Sequence, residues 1–138
     1  MSLTLLSDQQ YLFAQLLSRL LQRLISSRKK FVVGEVFRTA LQAWAYSLPP
    51  GSTFRAVSPL GDVFTYAACV GGVGILASRH CDKLAADILL FDNHAVISDP
   101  AAYKIFGDYW ESLNANCRWG GRFKKPDIYH FEYNPPPA

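Results

Sequence analysis

The sequence has little that would direct it to a membrane or to nucleic acid. It contains no run of about 18 or more apolar residues, which is the length that marks a membrane-spanning helix. Only 18% of its residues are charged and the formal net charge is +3, whereas a dedicated nucleic-acid-binding protein usually has a denser basic stripe. We therefore expect no stable membrane insertion and no nucleic-acid partner.

Cysteine is also scarce. The three cysteines, Cys69, Cys81 and Cys117, are an odd number and form no Cys-x-x-Cys pair. This argues against a disulfide framework and against a structural zinc knuckle. Cys81 directly follows a histidine, but a thiol nucleophile and its base normally come from separate parts of a sequence. We do not interpret Cys81 as a catalytic nucleophile.

The N-terminal residues lack the features of a signal peptide. The segment MSLTLLSDQQYLFAQLL has no basic region at its start and no small-residue cleavage site, so we expect synthesis in the cytoplasm. Half of the 138 residues are hydrophobic, which is enough for one core. The sequence predicts a single catalytic domain over residues 1–134, a flexible tail over 135–138, and a monomer.

The order of helical and strand patterns predicts an α+β fold, with a small antiparallel sheet and flanking helices. Apolar spacing and capping residues predict helices over residues 8–26, over 39–47, and from Asp99-Pro100 to Leu113. Ser7 and Gln10 have the spacing of a capping box for the first helix. Strands are predicted over 30–37, 84–91 and 128–133. Residues 52–76 have a weak pattern and are interpreted as a long loop or insertion, which in a compact domain is usually functional.

Two short segments contain residues of the types that can act as zinc ligands, histidine and aspartate. His80 and Asp87 are seven positions apart, which on a continuous helix means about 10 Å of rise, too far for one ion to bridge. We therefore expect His80 in a loop and Asp87 on the strand that follows. His130 shares a strand face with Glu132, and Asp127 lies at the entrance of that strand. These residues alone are equally compatible with a core histidine and with an Asp87–arginine ion pair.

Two motifs resemble those of the zinc D-alanyl-D-alanine carboxypeptidase family. SRHCDKLAAD resembles its S-x-H-x-x-G-x-A-x-D motif, and WGGRFKKPDIYHFE resembles W-G-G-x-F followed by D-x-x-H-F. GEVFRTALQA is similar to the family's segment with an arginine after an aromatic residue. This family has the Hedgehog/DD-peptidase fold and includes dipeptidases, carboxypeptidases and bacteriophage L-alanyl-D-glutamate endolysins. The resemblance extends from the first helix to Glu132 and is greatest to the endolysins.

The resemblance implies a catalytic zinc ion and a set of site residues. The implied zinc ligands are His80, Asp87 and His130. The other implied site residues are Asp127 as general acid/base, Arg38 as the group that stabilises the oxyanion, and Ser78 and Trp119 as residues that contact the substrate. Arg55 is a second candidate for the role of Arg38.

The implied function is zinc-dependent hydrolysis of a stem-peptide bond in peptidoglycan, as in the L-alanyl-D-glutamate endolysins. Without a signal peptide, such an enzyme would reach the cell wall after release through a separate pore. One alternative is a D-Ala-D-Ala dipeptidase or carboxypeptidase. Another is a catalytically silent zinc-binding module of the same fold. Lys83 stands at the glycine position of the first motif, and together with the long 52–76 segment it keeps this last alternative open.

Overall fold

The computed structural model describes residues 5–37, 53–57, 59–67 and 79–136. These parts of the chain form two α-helices and two antiparallel sheets, which confirms the predicted α+β class with a small antiparallel sheet. The helix predicted over residues 39–47 lies outside the described residues. Within the described ranges, no helix has the length and apolar character needed to cross a membrane.

The first helix, α1, spans Leu6–Ser26 and confirms the prediction from apolar spacing. The capping-box prediction is wrong, because the helix begins before Ser7, its N-cap is Leu5, and no side chain caps it. Gln10 instead donates a hydrogen bond from Nε2 to the backbone oxygen of Asp82, at 2.9 Å. One face of α1 is buried, at the residues Phe13, Leu16, Leu20 and Leu24.

The second helix, α2, spans Pro100–Leu113 and begins as the sequence predicts. The side chain of Asp99 accepts a hydrogen bond from the backbone N–H of Ala101 at 3.0 Å, and Pro100 occupies the first turn. Trp110 on this helix meets Phe13 of α1 edge to face, with ring centroids 6.0 Å apart. The two helices therefore share one apolar core.

The main sheet is built from strands that are far apart in the sequence. Its strands are β1 (Lys30–Val33), β4 (Ala85–Asp92), β5 (Ala95–Val96), β6 (Cys117–Trp119) and β7 (His130–Tyr133). The order is β1-β4-β7-β6, and β5 pairs with the end of β4. All of these pairings are antiparallel. The predicted strands are confirmed, although β1 ends before residue 37 and β7 begins after residue 128.

A second sheet lies within the segment that the sequence marks as a loop or insertion. It consists of β2 (Thr53–Val57) and β3 (Val63–Ala67), which pair antiparallel. At the other end of the described residues, Pro135, the first residue of the predicted tail, is buried. The core lies between α1, α2 and the main sheet, and its largest fully buried side chains include Leu20, Leu24, Leu90, Trp110 and Phe131.

Candidate metal centre

His80 lies on a short 3-10 helix, Arg79–Asp82, directly before β4. Arg79 ties this helix to the C-terminal segment, since its Nε and Nη2 donate to Asn134 Oδ1 at 2.9 and 2.7 Å. At the other end of the 3-10 helix, the backbone oxygen of Asp82 accepts the hydrogen bond from Gln10 of α1. The chain therefore turns between His80 and the strand, as the argument from seven-residue spacing requires, and the His80 side chain is directed inward with 1% exposure.

Asp87 and His130 are directly opposite each other in the antiparallel pairing of β4 with β7. Residues opposite each other in such a pair point to the same face, with Cβ atoms about 4.5–5.5 Å apart. The backbone of Asp87 is fixed from the other side, because its oxygen accepts from the N–H of Gly34 at 2.7 Å and its N–H donates to the oxygen of Glu35 at 3.0 Å. Sheet pairing thus sets the spacing of this carboxylate and imidazole.

The three predicted ligands converge on one point. His80 Nε2 lies 3.1 Å from His130 Nδ1 and 3.2 Å from Asp87 Oδ1, and the remaining pair is 3.8 Å apart. Ligand atoms of a tetrahedral zinc ion, each about 2.0–2.2 Å from the metal, lie about 3.3–3.6 Å from one another. The observed spacings bracket that range. The group of His80, Asp87 and His130 could therefore hold a metal ion.

In both His80 and His130, one ring nitrogen faces the ligand group and the other faces away from it. The hydrogen bond of the nitrogen that faces away indicates which nitrogen carries the proton and which carries the lone pair. His80 Nδ1 is 3.4 Å from the backbone oxygen of Val36, and His130 Nε2 is 2.7 Å from Glu132 Oε1. Carbonyl and carboxylate oxygens only accept, so we assign the ring protons to these two nitrogens. The opposite nitrogens then direct lone pairs at each other and at Asp87. A cation would satisfy all three acceptors at once.

Glu132 is charged in this environment although it is buried. Burial acts to raise the pKa of its carboxyl group, but hydrogen bonds from His130 and Arg118 outweigh burial and lower that pKa below its ordinary value. Arg118 Nη2 donates to Glu132 Oε2 at 2.8 Å. Strand parity predicts that Glu132 lies on the same strand face as His130, but it indicates no role for Glu132. The only sequence signal for the contact is their two-residue separation on a strand.

Asp127 lies beside this group at the start of the turn that leads into β7. Its N–H donates to the oxygen of Gly120 at 2.9 Å, and its oxygen accepts from the N–H of His130 at 3.2 Å. A Cβ on Gly120 would lie 2.9 Å from His130 Cβ, so the turn requires glycine there. Burial on its protein side raises the pKa of the Asp127 carboxyl group, and the charge of Asp87 raises it further, against opposing effects of His130.

Trp119 supports this turn from inside the protein. Its ring is in the core at 4% exposure, and Nε1 donates to the backbone oxygen of Ile128 at 2.8 Å. Gly107 and Gly121 leave room for the ring, since a Cβ on either would lie about 2.5 Å from ring atoms. The predicted contact of Trp119 with the substrate finds no support in this buried position.

Three of the other predicted site residues cannot be compared with the structure. Arg38 and Ser78 lie outside the described residues, as does the side chain of Arg55. Lys83, at the glycine position of the motif, has a φ of 57°, which is the left-handed backbone that favours glycine. The third histidine of the sequence, His94, was not a predicted site residue and is exposed in a turn.

No protein-family model matches this chain, and no curated protein sequence matches it significantly. Fold and site together define an α+β domain with a small antiparallel sheet and a candidate metal centre of two imidazoles and one carboxylate. Any more specific assignment depends on the chemistry of that centre.

Proposed function

We propose that this protein is a zinc-dependent peptidase of the Hedgehog/DD-peptidase fold that hydrolyses a stem-peptide bond of peptidoglycan, of the L-alanyl-D-glutamate type. The observation that carries the proposal is the convergence of His80, Asp87 and His130 within 3.1–3.8 Å, with the carboxyl group of Asp127 alongside. The two motif resemblances supply the substrate class. The cell wall is accordingly the proposed place of action.

The donor set suits zinc. Two neutral imidazoles and one carboxylate are a common ligand set of catalytic zinc sites, in which a further position is left for water or substrate. Asp87 is the ligand with most access to solvent, at 23% side-chain exposure against 1% for His80, so the open side of the centre adjoins this carboxylate. Iron(II) also binds two histidines and a carboxylate, and metal analysis of the purified protein separates the two.

In the proposed reaction, bound zinc supplies Lewis acidity to a water molecule and to the scissile carbonyl. The carboxylate of Asp127 accepts a proton from the water and delivers it to the leaving amine. Asp127 suits this role because its backbone oxygen is bonded to the N–H of His130, which keeps its carboxylate close to the ligand group. Arg38 remains the proposed partner of the oxyanion.

The test combines metal analysis with digestion of purified peptidoglycan. We expect about one zinc ion per chain and, by mass spectrometry, soluble fragments with a newly freed amine on D-glutamate. His80→Ala should lose both zinc and cleavage. Asp127→Asn should keep the zinc but cleave about 10²–10⁴-fold more slowly. Asp108→Asn is the matched control, because Asp108 is an exposed carboxylate on α2 paired with Lys104.

The outcomes also separate the proposal from its alternatives. Cleavage that persists with a chelator and in His80→Ala would contradict a metal-dependent mechanism. Release of D-alanine from free D-Ala-D-Ala, without cleavage of intact walls, would identify a dipeptidase or carboxypeptidase. Tight zinc binding with no turnover on any wall fragment would identify a silent binding module.

A further inference from the structure

We propose that Glu132 and Arg118 form a positioning pair that holds His130 in the one tautomer able to bind a metal ion. Glu132 Oε1 accepts from His130 Nε2 at 2.7 Å, while Glu132 Oε2 accepts from Arg118 Nη2 at 2.8 Å. Each carboxylate oxygen thus has its own donor. The inference rests on the metal centre of the proposed function, but not on peptide cleavage.

The tautomer matters because a neutral imidazole has a single N–H. On Nδ1 of His130 that hydrogen would point at His80 Nε2, 3.1 Å away, and would occupy the centre of the ligand group. The bond from Nε2–H to the Glu132 carboxylate is charge-assisted and therefore stronger than a bond between neutral groups. Because both partners are buried, at 7% and 4% exposure, water competes little for either atom.

Arg118 holds the Glu132 carboxylate in place through one oxygen, Oε2, and leaves Oε1 to the histidine. Its guanidinium group is half exposed and lies over the ring of Phe123, with 5.1 Å between Cζ and the ring centroid. The Phe123 ring in turn lies 5.7 Å from the ring of His130. Phe123 therefore packs near both Arg118 and His130, and Glu132 is hydrogen-bonded to both.

Replacing Glu132 by glutamine turns this arrangement into a test. Glutamine has one acceptor oxygen where glutamate has two, and Arg118 can only donate. The amide oxygen should therefore turn to Arg118, which leaves the amide NH₂ facing His130 Nε2. His130 would then accept at Nε2 and hold its proton on Nδ1. A purely structural ion pair would produce no such change of tautomer.

The first measurement reads the tautomer directly in metal-free protein. Long-range proton–nitrogen correlation spectra of ¹⁵N-histidine-labelled protein report for each ring whether Nδ1, Nε2 or both nitrogens carry a hydrogen. We expect the Nε2–H form of His130 in the unmodified protein and the Nδ1–H form in Glu132→Gln. Zinc affinity, from competition with a chromogenic chelator, should fall about 10–100-fold in this variant.

The second measurement is a rescue. In Glu132→Gln combined with Arg118→Met, the amide oxygen no longer has to face Arg118 and can accept from His130 Nε2–H. The Nε2–H form should return, and the loss of zinc affinity should shrink to a few-fold. Asp108→Asn, which makes the same acid-to-amide change in an exposed ion pair, should leave the tautomer and the affinity unchanged.

An unchanged tautomer together with zinc affinity within about twofold in Glu132→Gln would overturn the proposal. A double variant no better than Glu132→Gln alone would overturn the role of Arg118. If Glu132→Gln does not fold, Glu132→Asp is the variant to test, because aspartate keeps the charge but is too short to reach His130 Nε2 in the same way. Unchanged zinc affinity in Glu132→Asp would then overturn the proposal. A protein that shows the tautomer change but cleaves no peptidoglycan supports this inference while contradicting the peptidase.

Discussion

Gly107 offers a sharp test of how the core supports the metal centre. Helix propensity alone predicts that Gly107→Ala stabilises α2 by about 1 kcal/mol. Packing predicts the opposite, since the new methyl group would lie 2.5 Å from Cε3 and 2.6 Å from Cγ of Trp119. Carbon atoms in contact prefer about 3.5–4.0 Å. The overlap is therefore close to 1 Å at more than one ring atom.

The Trp119 ring has little freedom to move away from such a methyl group. Gly121 lies against a different part of the ring, at Cζ2, Cη2 and Cε2, and the Nε1 of Trp119 is bonded to the backbone of Ile128. Overpacking of this kind typically costs about 1–3 kcal/mol, and here we take the upper end because the ring is confined. After subtraction of the propensity gain, Gly107→Ala should destabilise the protein by about 2 kcal/mol.

Urea unfolding followed by circular dichroism, with a chelator present to keep metal out of the balance, measures this difference. With an m value of about 2 kcal/mol/M, the midpoint should fall by about 1 M. Ser112→Ala, an exposed position on the same helix, should change stability by less than about 0.5 kcal/mol. In a protein that already carries Trp119→Met, Gly107→Ala should lower the free energy of unfolding by less, because the flexible methionine side chain can move away from the new methyl group. A midpoint equal to or above that of the unmodified protein would refute the reasoning.

Three further results are expected. Lys83→Gly should be more stable than Lys83→Ala by about 1 kcal/mol in urea unfolding, because both remove the same side chain but only glycine adopts a φ of 57° without strain; equal stabilities would contradict this. Cys117 is buried and its pKa is raised to about 12, chiefly by burial, so at about pH 8 roughly one thiol in 10⁴ is ionised. Brief iodoacetamide treatment followed by peptide mass spectrometry should modify the half-buried Cys81 well before Cys117, and the reverse order would be inconsistent with this burial. Asp99→Ala should lower the free energy of unfolding by about 1 kcal/mol, because it removes the cap on Ala101 N–H, and no change in the urea midpoint would argue against that cap.

Local patterns predicted the elements whose cause is local. Apolar spacing predicted α1, and Asp99 with Pro100 predicted the start of α2, because helical periodicity and capping act within a few residues. The exact start of α1 was not predictable in this way. The hydroxyl of Ser7 has the right spacing for a cap, yet the helix begins two residues earlier, with a backbone bond from Asp8 N–H to the oxygen of Leu5.

The candidate site was only partly accessible to the same reasoning. The motifs named His80, Asp87 and His130, but their convergence depends on the register of β4 against β7, which no local pattern fixes. Strand parity placed Glu132 beside His130 without revealing the hydrogen bond between them. The resemblance implies a contact of Trp119 with the substrate, whereas the surroundings of its side chain are those of a core residue.

The separation of the ligands along the chain has a consequence for how the protein matures. His80 and His130 are 50 positions apart, and the short helix that carries His80 is anchored to Asn134. A growing chain on the ribosome can therefore offer no complete ligand set until residues as far as His130 and Asn134 have emerged. The proposed metal centre can therefore be complete only after β7 has paired with β4, whatever ions are present while the earlier residues are being made.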